Sequence, residues 1–241
     1  MAEDTENLRE LIVRARFVLF DFDGPICRLF ARHSAERIAA GMVRGFEERG
    51  LRGLPPEEVL EQADPQVVMR AVAARHPGSD LITEIEEQLT QEELKATATA
   101  YPTPYADPVI QTWVSVDARL AVTTNNSARA VTKYLESRNL VHCFAPHIYG
   151  RTQNLDLLKP DPYCVNRALG AMGAAPAAAL SIGDAPTDYE AAMRAGVSFL
   201  GYARNARKEE LLRNAGVKRE YIVSSLAPVL KILRSPTDSR R

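Results

Sequence analysis

Six short apolar runs recur along the chain, and helical patterns lie between most of them: Phe17-Val18-Leu19-Phe20, Leu120 to Thr123, His147 to Tyr149, Leu180 to Ile182, Val197 to Gly201 and Tyr221 to Val223. Runs this short suit strands buried on both faces. Parallel neighbours need crossover connections, so strands alternating with helices predict an α/β fold, a doubly wound, mainly parallel, Rossmann-like sheet with helices on both sides. Ligand sites in such sheets lie at the C-terminal ends of strands.

The punctuation between runs agrees with that reading. Leu8, Leu11 and Ile12 share a helical face ahead of the first strand. Asp107-Pro108 and Asp161-Pro162 read as N-caps followed by proline at the first helical position, and Gly196 and Gly216 as helix stops. The rhythm breaks once. From about residue 28 to 100 no strand is apparent: Ile38, Met42, Val43 and Phe46 share one helical face, Asp64-Pro65 opens a second helix through Val67, Val68 and Val72, and Asp80 opens a third through Leu81, Ile85 and Leu89. The proline-rich segment from Tyr101 to Pro108 cannot continue a helix or sit in a central strand, and makes a stiff return. The expected organisation is a core domain of residues 1–27 and 105–241, interrupted by a helical domain of 28–104, with a frayed tail from Ser235 to Arg241.

A chain of 241 residues has room for one large domain or for a domain with an insertion. Its net charge of -1 gives no long-range attraction to nucleic acid or to an anionic membrane. No apolar run approaches a membrane span, and the acidic, polar start MAEDTENLRE is unlike a secretory signal, so the expected location is the cytoplasm. Cys27, Cys143 and Cys164 are too widely spaced for a zinc motif and odd in number, which fits reduced thiols, with Cys27 a packing residue. The histidines His76, His142 and His147 show no metal-ligand spacing, and Trp113 reads as core. The sequence leaves monomer and homodimer equally open.

Four strand-end clusters carry chemistry. Asp21 and Asp23, at positions i and i+2 after the first run, can point to one side of the sheet, and Gly24 lets backbone approach a ligand. Two close carboxylates repel, and a divalent cation such as Mg2+ relieves that repulsion. Thr123-Thr124-Asn125-Asn126-Ser127 offers a hydroxyl and backbone N–H groups to phosphate oxygens, while Ser127 also fits the cap of the next helix. Lys159, in Lys159-Pro160-Asp161-Pro162, supplies a point charge ahead of a helix. Finally, Gly183-Asp184 and Asp188 add two more carboxylates after an apolar strand.

In order and spacing, Asp21-Phe22-Asp23-Gly24, Thr124-Asn125, Lys159-Pro160 and Gly183-Asp184 with Asp188 resemble the four motifs of the haloacid dehalogenase-like hydrolases. The surroundings of Phe144 and of Ala191-Ala192 through Gly196 are similar too, and the helical insertion resembles the α-helical cap of the phosphoglycolate phosphatase-like members. The resemblance implies a phosphatase acting on a small-molecule phosphate ester. Asp21 would be the nucleophile that becomes an aspartyl phosphate, and Asp23 the general acid/base. Mg2+ would be held by the Asp21 carboxylate, the Asp23 backbone carbonyl and Asp184, with Asp188 supporting the metal shell or holding Lys159. Thr124, the Asn125 N–H and Lys159 would bind the phosphoryl oxygens.

Pro25 departs from the family pattern, which has threonine or valine there; it removes an N–H and fixes the local backbone. Within the family, Asp23 favours phosphate chemistry over carbon–halogen cleavage. The absence of any lysine before Lys95 disfavours a Schiff-base phosphonate hydrolase. A phosphomutase of the β-phosphoglucomutase type and a catalytically silent phosphate-binding or regulatory protein stay open. Arg28, Arg32 and His33 fall where an insertion could meet a substrate, but read more simply as a solvated helix face.

Overall fold

The computed structural model describes residues 2–48, 64–77 and 79–235, with side chains from Glu6 onward. Within it the chain divides into two compact units, one formed by residues 1–28, 102–151 and 156–241, the other by residues 29–101 and 152–155.

Among the described residues the chain forms eight strands, seven of them within the first unit and β3 at its edge: β1 (Phe17–Phe20), β2 (Cys27–Arg28), β3 (Tyr101–Pro102), β4 (Arg119–Thr123), β5 (Ile148–Tyr149), β6 (Ala179–Gly183), β7 (Ser198–Tyr202) and β8 (Ile222–Val223). β2 and β3 are two-residue stretches where the chain leaves this unit and returns to it. The other six form one parallel sheet in the order β5-β4-β1-β6-β7-β8, as the alternating pattern predicts. β1 pairs from Phe17 to Phe20 with Arg119 to Val122 on one side and with Ala179 to Ile182 on the other. The winding therefore reverses at β1, and the carboxyl ends of β4, β1 and β6 meet at the switch point of the sheet.

Alternation along β1 sends successive side chains to opposite faces. Leu19 packs with Val165, Leu169, Ala191 and Ala192 from the helices Tyr163–Met172 and Pro186–Arg194. Phe20 meets Trp113 edge-on at 5.7 Å and Phe144 at 6.0 Å on the other face. Trp113, expected as core, is buried in the helix Ala106–Ser115. Leu8 and Ile12 of the helix Ala2–Arg14 are buried as their spacing predicts.

Two of the expected caps differ. Helix Ala106–Ser115 starts at Tyr105, in the left-handed region at φ 68°, so Asp107 lies inside the first turn and its Oδ2 instead accepts from Arg138 Nε at 3.1 Å. Asp161 Oδ1 does accept the N–H of Tyr163 at 2.9 Å, but Pro162 is the residue before the helix, not its first turn. Gly196 and Gly216, at φ 71° and 102°, follow the helices Pro186–Arg194 and Ala206–Asn214 as expected stops.

Helices make up most of the described residues of the second unit. Helices Ala35–Glu48, Pro65–Arg75 and Asp80–Ala96 bury Ile38, Met42 and Phe46, then Val68, Met69 and Val72, then Ile85 and Leu89. Asp64 caps the second helix by accepting the N–H of Gln66 at 2.8 Å, and Ser79, one residue before the expected Asp80, caps the third. Val43, Val67 and Leu81 are only half-buried. Arg32 lies over the Tyr101 ring at 5.0 Å, and His33 Nε2 is 2.7 Å from Glu92 Oε2. Among the described residues no helix is long and apolar enough to cross a membrane. The expected frayed tail, beyond Ser235, lies outside the described residues.

Candidate active site

The site forms where β1, β4 and β6 end. Asp21 follows β1 directly, and its N–H donates to the Ile182 carbonyl of β6 at 2.8 Å, which fixes its backbone against the neighbouring strand. The strand alternation continues past it: Phe22 is fully buried against Tyr134, with ring centroids 5.5 Å apart, while Asp21 and Asp23 take the other side. Asp21 is buried and Asp23 half-exposed.

The loop after Asp23 is tightly drawn. Gly24 donates its N–H to the Cys27 carbonyl at 2.6 Å, and its own carbonyl accepts the Thr103 hydroxyl at 2.5 Å. Gly24 has φ 131°, and a Cβ there would come within 2.5 Å of Asp184 Cγ, so only glycine lets this turn and the Asp184 carboxylate coexist. Pro25 is buried in the same loop, whose backbone bonds run from the Gly24 N–H to the Cys27 carbonyl and from the Cys27 N–H to the Phe22 carbonyl at 3.2 Å. Cys27 is buried too. Burial, then the charges of Asp23 and Asp21, push its thiol well above the ordinary range, as suits a packing residue. All three cysteines are free thiols.

After β4, Asn125 turns its amide toward Lys159. Its Oδ1 accepts the Lys159 N–H at 2.8 Å, and its Nδ2 donates to the Lys159 carbonyl at 3.2 Å. The buried Thr124 hydroxyl donates to Asn126 Oδ1 at 3.1 Å and accepts the Asn126 N–H at 3.2 Å. Ser127 caps the helix Ala128–Ser137, accepting the Arg129 N–H at 3.3 Å. Arg151, which no sequence motif singles out, is buried after β5; its Nη1 donates to the Asn125 carbonyl at 3.0 Å and its N–H to the Asn126 carbonyl at 2.8 Å.

Lys159 is the hub. Its Nζ lies 2.9 Å from Asp21 Oδ1, 2.5 Å from Asp188 Oδ1 and 2.9 Å from the Thr123 carbonyl. Burial opposes charge on this amine, but Asp188 and Asp21 more than offset it and hold its pKa above that of an ordinary lysine. Asp188, in the first turn of Pro186–Arg194, accepts the N–H groups of Asp184 and Ala185 through Oδ2, both at 3.0 Å. It is thereby committed to Lys159 and to the β6 loop. Gly183 is needed beneath it, since a Cβ there would lie 2.4 Å from Asp188 Cβ.

Asp21, Asp184 and Asp188 each offer a carboxylate oxygen within 4.8 Å of the others, and all three are buried. Burial, with Asp188 adding repulsion and Lys159 opposing it, pushes Asp21 up to about 6. Burial also pushes Asp184 up to about 6, with Lys208 opposing and Asp188 adding to the rise. A buried, hard-oxygen set in which two carboxylates resist ionisation is the donor chemistry that suits a hard divalent cation. Asp23 stands outside this threesome.

Lys208 was not legible as a site residue, yet its Nζ is 2.9 Å from Asp184 Oδ2. Thr103, within the proline-rich return, ties that segment to the first loop through Gly24 and Ile26.

Residues 18–202 match the haloacid dehalogenase-like hydrolase family. The chain belongs to that family. It is a hydrolase. A phosphoglycolate phosphatase from Aquifex aeolicus is 29% identical over 195 residues, covering 78% of this chain and 87% of that protein. Among solved structures, CbbY from Rhodobacter sphaeroides in complex with phosphate is similar with a TM-score of 0.66 and 21% identity, over 88% of this chain and 95% of that one. A haloacid dehalogenase-like family hydrolase from Streptococcus pneumoniae is similar with a TM-score of 0.62 and 19% identity, over 92% and 98% of the two chains.

Proposed function

We propose that this hydrolase is a Mg2+-dependent phosphatase that cleaves a small-molecule phosphate monoester through an aspartyl phosphate on Asp21. The observation that carries the reading is the buried contact of Asp21 Oδ1 with Lys159 Nζ at 2.9 Å, in a cluster with Asp184 and Asp188 at the switch point of the sheet. A lysine that keeps its charge when buried leaves one carboxylate oxygen aimed and ionisable, as a nucleophile requires.

In this reading Asp21 attacks phosphorus in line, forming a carboxylate O–P bond as the ester O–P bond breaks. Asp23, two residues on and more exposed, gives its proton to the departing ester oxygen. It then takes a proton from the water that attacks the aspartyl phosphate, which releases inorganic phosphate and restores Asp21. Lys159 balances charge on the phosphoryl oxygens, together with the Thr124 hydroxyl and the N–H of Asn125. The side chain of Asn125 has a different task, holding Lys159 through both amide atoms.

Mg2+ fits beside Asp21 and Asp184, with the Asp23 carbonyl as a further oxygen, and when bound it neutralises charge on the transferring group. Asp188 supports that set through Lys159 and two backbone N–H groups. We assign residues 1–27 and 105–241 to the catalytic core and 28–104 to the helical cap.

Phosphate release from a panel of small esters, beginning with phosphoglycolate because the Aquifex aeolicus relative is a phosphoglycolate phosphatase, tests the reading. Turnover that needs Mg2+, stops with chelator and is lost in Asp21→Asn supports it. If Mg2+ binds and no ester turns over, the mutase and silent-binder readings take its place.

A further inference from the structure

Asp184 has a partner from outside the four motif segments. Lys208 lies in the first turn of the helix Ala206–Asn214, beyond β7, and reaches Asp184 Oδ2 with its ammonium at 2.9 Å. Its backbone is pinned, because Asn205 Oδ1 accepts its N–H at 2.9 Å. Its side chain is 26% exposed, whereas that of Asp184 is 8% exposed, so the amine enters from the solvent side.

The other lysine of the site is engaged by other partners. The three N–H groups of Lys159 are matched by Asp21, Asp188 and the Thr123 carbonyl. Nor does the position of Lys208 at a helix N-terminus favour a cation, because that end carries positive partial charge. What holds the ammonium there is Asp184.

We propose that Lys208 is a tethered, displaceable counter-ion that occupies Asp184 when no divalent cation is bound and gives way when one binds. The proposal rests on the metal reading above. An oxygen lone pair engaged by an ammonium N–H is not free for a cation, and the two positive charges repel at close range. The flexible four-carbon stem and the exposed flank give Lys208 a way out. Cation binding is then an exchange of one positive charge for another, and it is weaker than the carboxylates alone would allow.

Two measurements decide it. In calorimetric titrations with Mg2+, Lys208→Met should bind about tenfold more tightly than the wild type, while Lys208→Arg, which keeps the charge, should stay close to it. On the wild-type protein, reductive methylation read by mass spectrometry should modify Lys208 faster with Mg2+ than with chelator. Equal or weaker Mg2+ binding by a folded Lys208→Met overturns the proposal, and so does unchanged methylation of Lys208 in wild-type protein that binds Mg2+. If neither the wild type nor the variants bind Mg2+, the metal reading itself falls and takes this proposal with it.

Discussion

The Asn125 side chain grips the peptide of Lys159 at two points, accepting its N–H at 2.8 Å and donating to its carbonyl at 3.2 Å, across a separation of 34 residues in the chain. Through this grip the loop after β4 sets where the Lys159 amine stands relative to Asp21. Thr124, by contrast, is tied within its own loop to Asn126.

Replacing Asn125 with alanine removes both bonds and leaves a peptide N–H and carbonyl to find other partners. A cost of about 1–3 kcal/mol in stability follows from such unmade bonds. The larger effect should be on rate, because a shift of Lys159 by even about 1 Å can lower kcat on the order of a hundredfold. Urea unfolding and steady-state kinetics of Asn125→Ala check both. An unchanged kcat with the expected loss of stability would leave Asn125 a purely structural residue.

Gly24→Ala should be more damaging than its size suggests. The new methyl would have to occupy space within 2.5 Å of Asp184 Cγ, at a φ of 131° that side chains rarely adopt. Either the loop from Asp23 to Cys27 moves or Asp184 does, and both belong to the site. We expect activity to fall at least about tenfold and Mg2+ affinity to weaken, with a stability loss of about 1–3 kcal/mol from the strained backbone. Wild-type Mg2+ affinity and turnover in this variant would mean that the contact between Gly24 and Asp184 is not functionally coupled.

Most of the sheet was legible because its strands are buried on both faces and therefore read as continuous apolar runs, of which Phe17 to Phe20 is the plainest. The motif aspartates were legible because they stop those runs. Lys208 was not: it follows its strand by several residues and sits in the charged stretch Arg204 to Glu210, where one lysine looks like its neighbours until the fold brings β7 beside β6. Arg151 and Thr103 were hidden for a related reason, since each acts through backbone carbonyls, and a carbonyl leaves no mark in sequence. The Asp107 cap was misread because Tyr105 takes a left-handed conformation, which starts the helix two residues early.

The paired carboxylates make a prediction about pH whose sign is unusual for aspartates. Asp21 and Asp184 are each pushed up to about 6, mainly by burial, from an ordinary value of 3.8. Between roughly pH 4 and 6 the folded, metal-free protein therefore holds protons that the unfolded chain has released, so these groups favour folding at the acid end and lose that contribution as pH rises through about 6. Together they make a difference on the order of a few kcal/mol. Mg2+ stabilises the ionised pair, so its stabilising effect should be larger at pH 7.5 than at pH 5, and the acid limb of turnover in the Mg2+-loaded enzyme should lie below the pH at which metal-free Asp21 protonates. Asp21→Asn separates this from the rest of the molecule: its amide oxygen can still accept from Lys159, but the buried charge is gone. Thermal unfolding in chelator should find the variant more stable than the wild type at pH 7.5, with the advantage shrinking toward pH 4.5. A variant that is less stable than the wild type at pH 7.5 would mean that the Lys159 ion pair outweighs the burial of Asp21, and that the site is held together by charge and not strained by it.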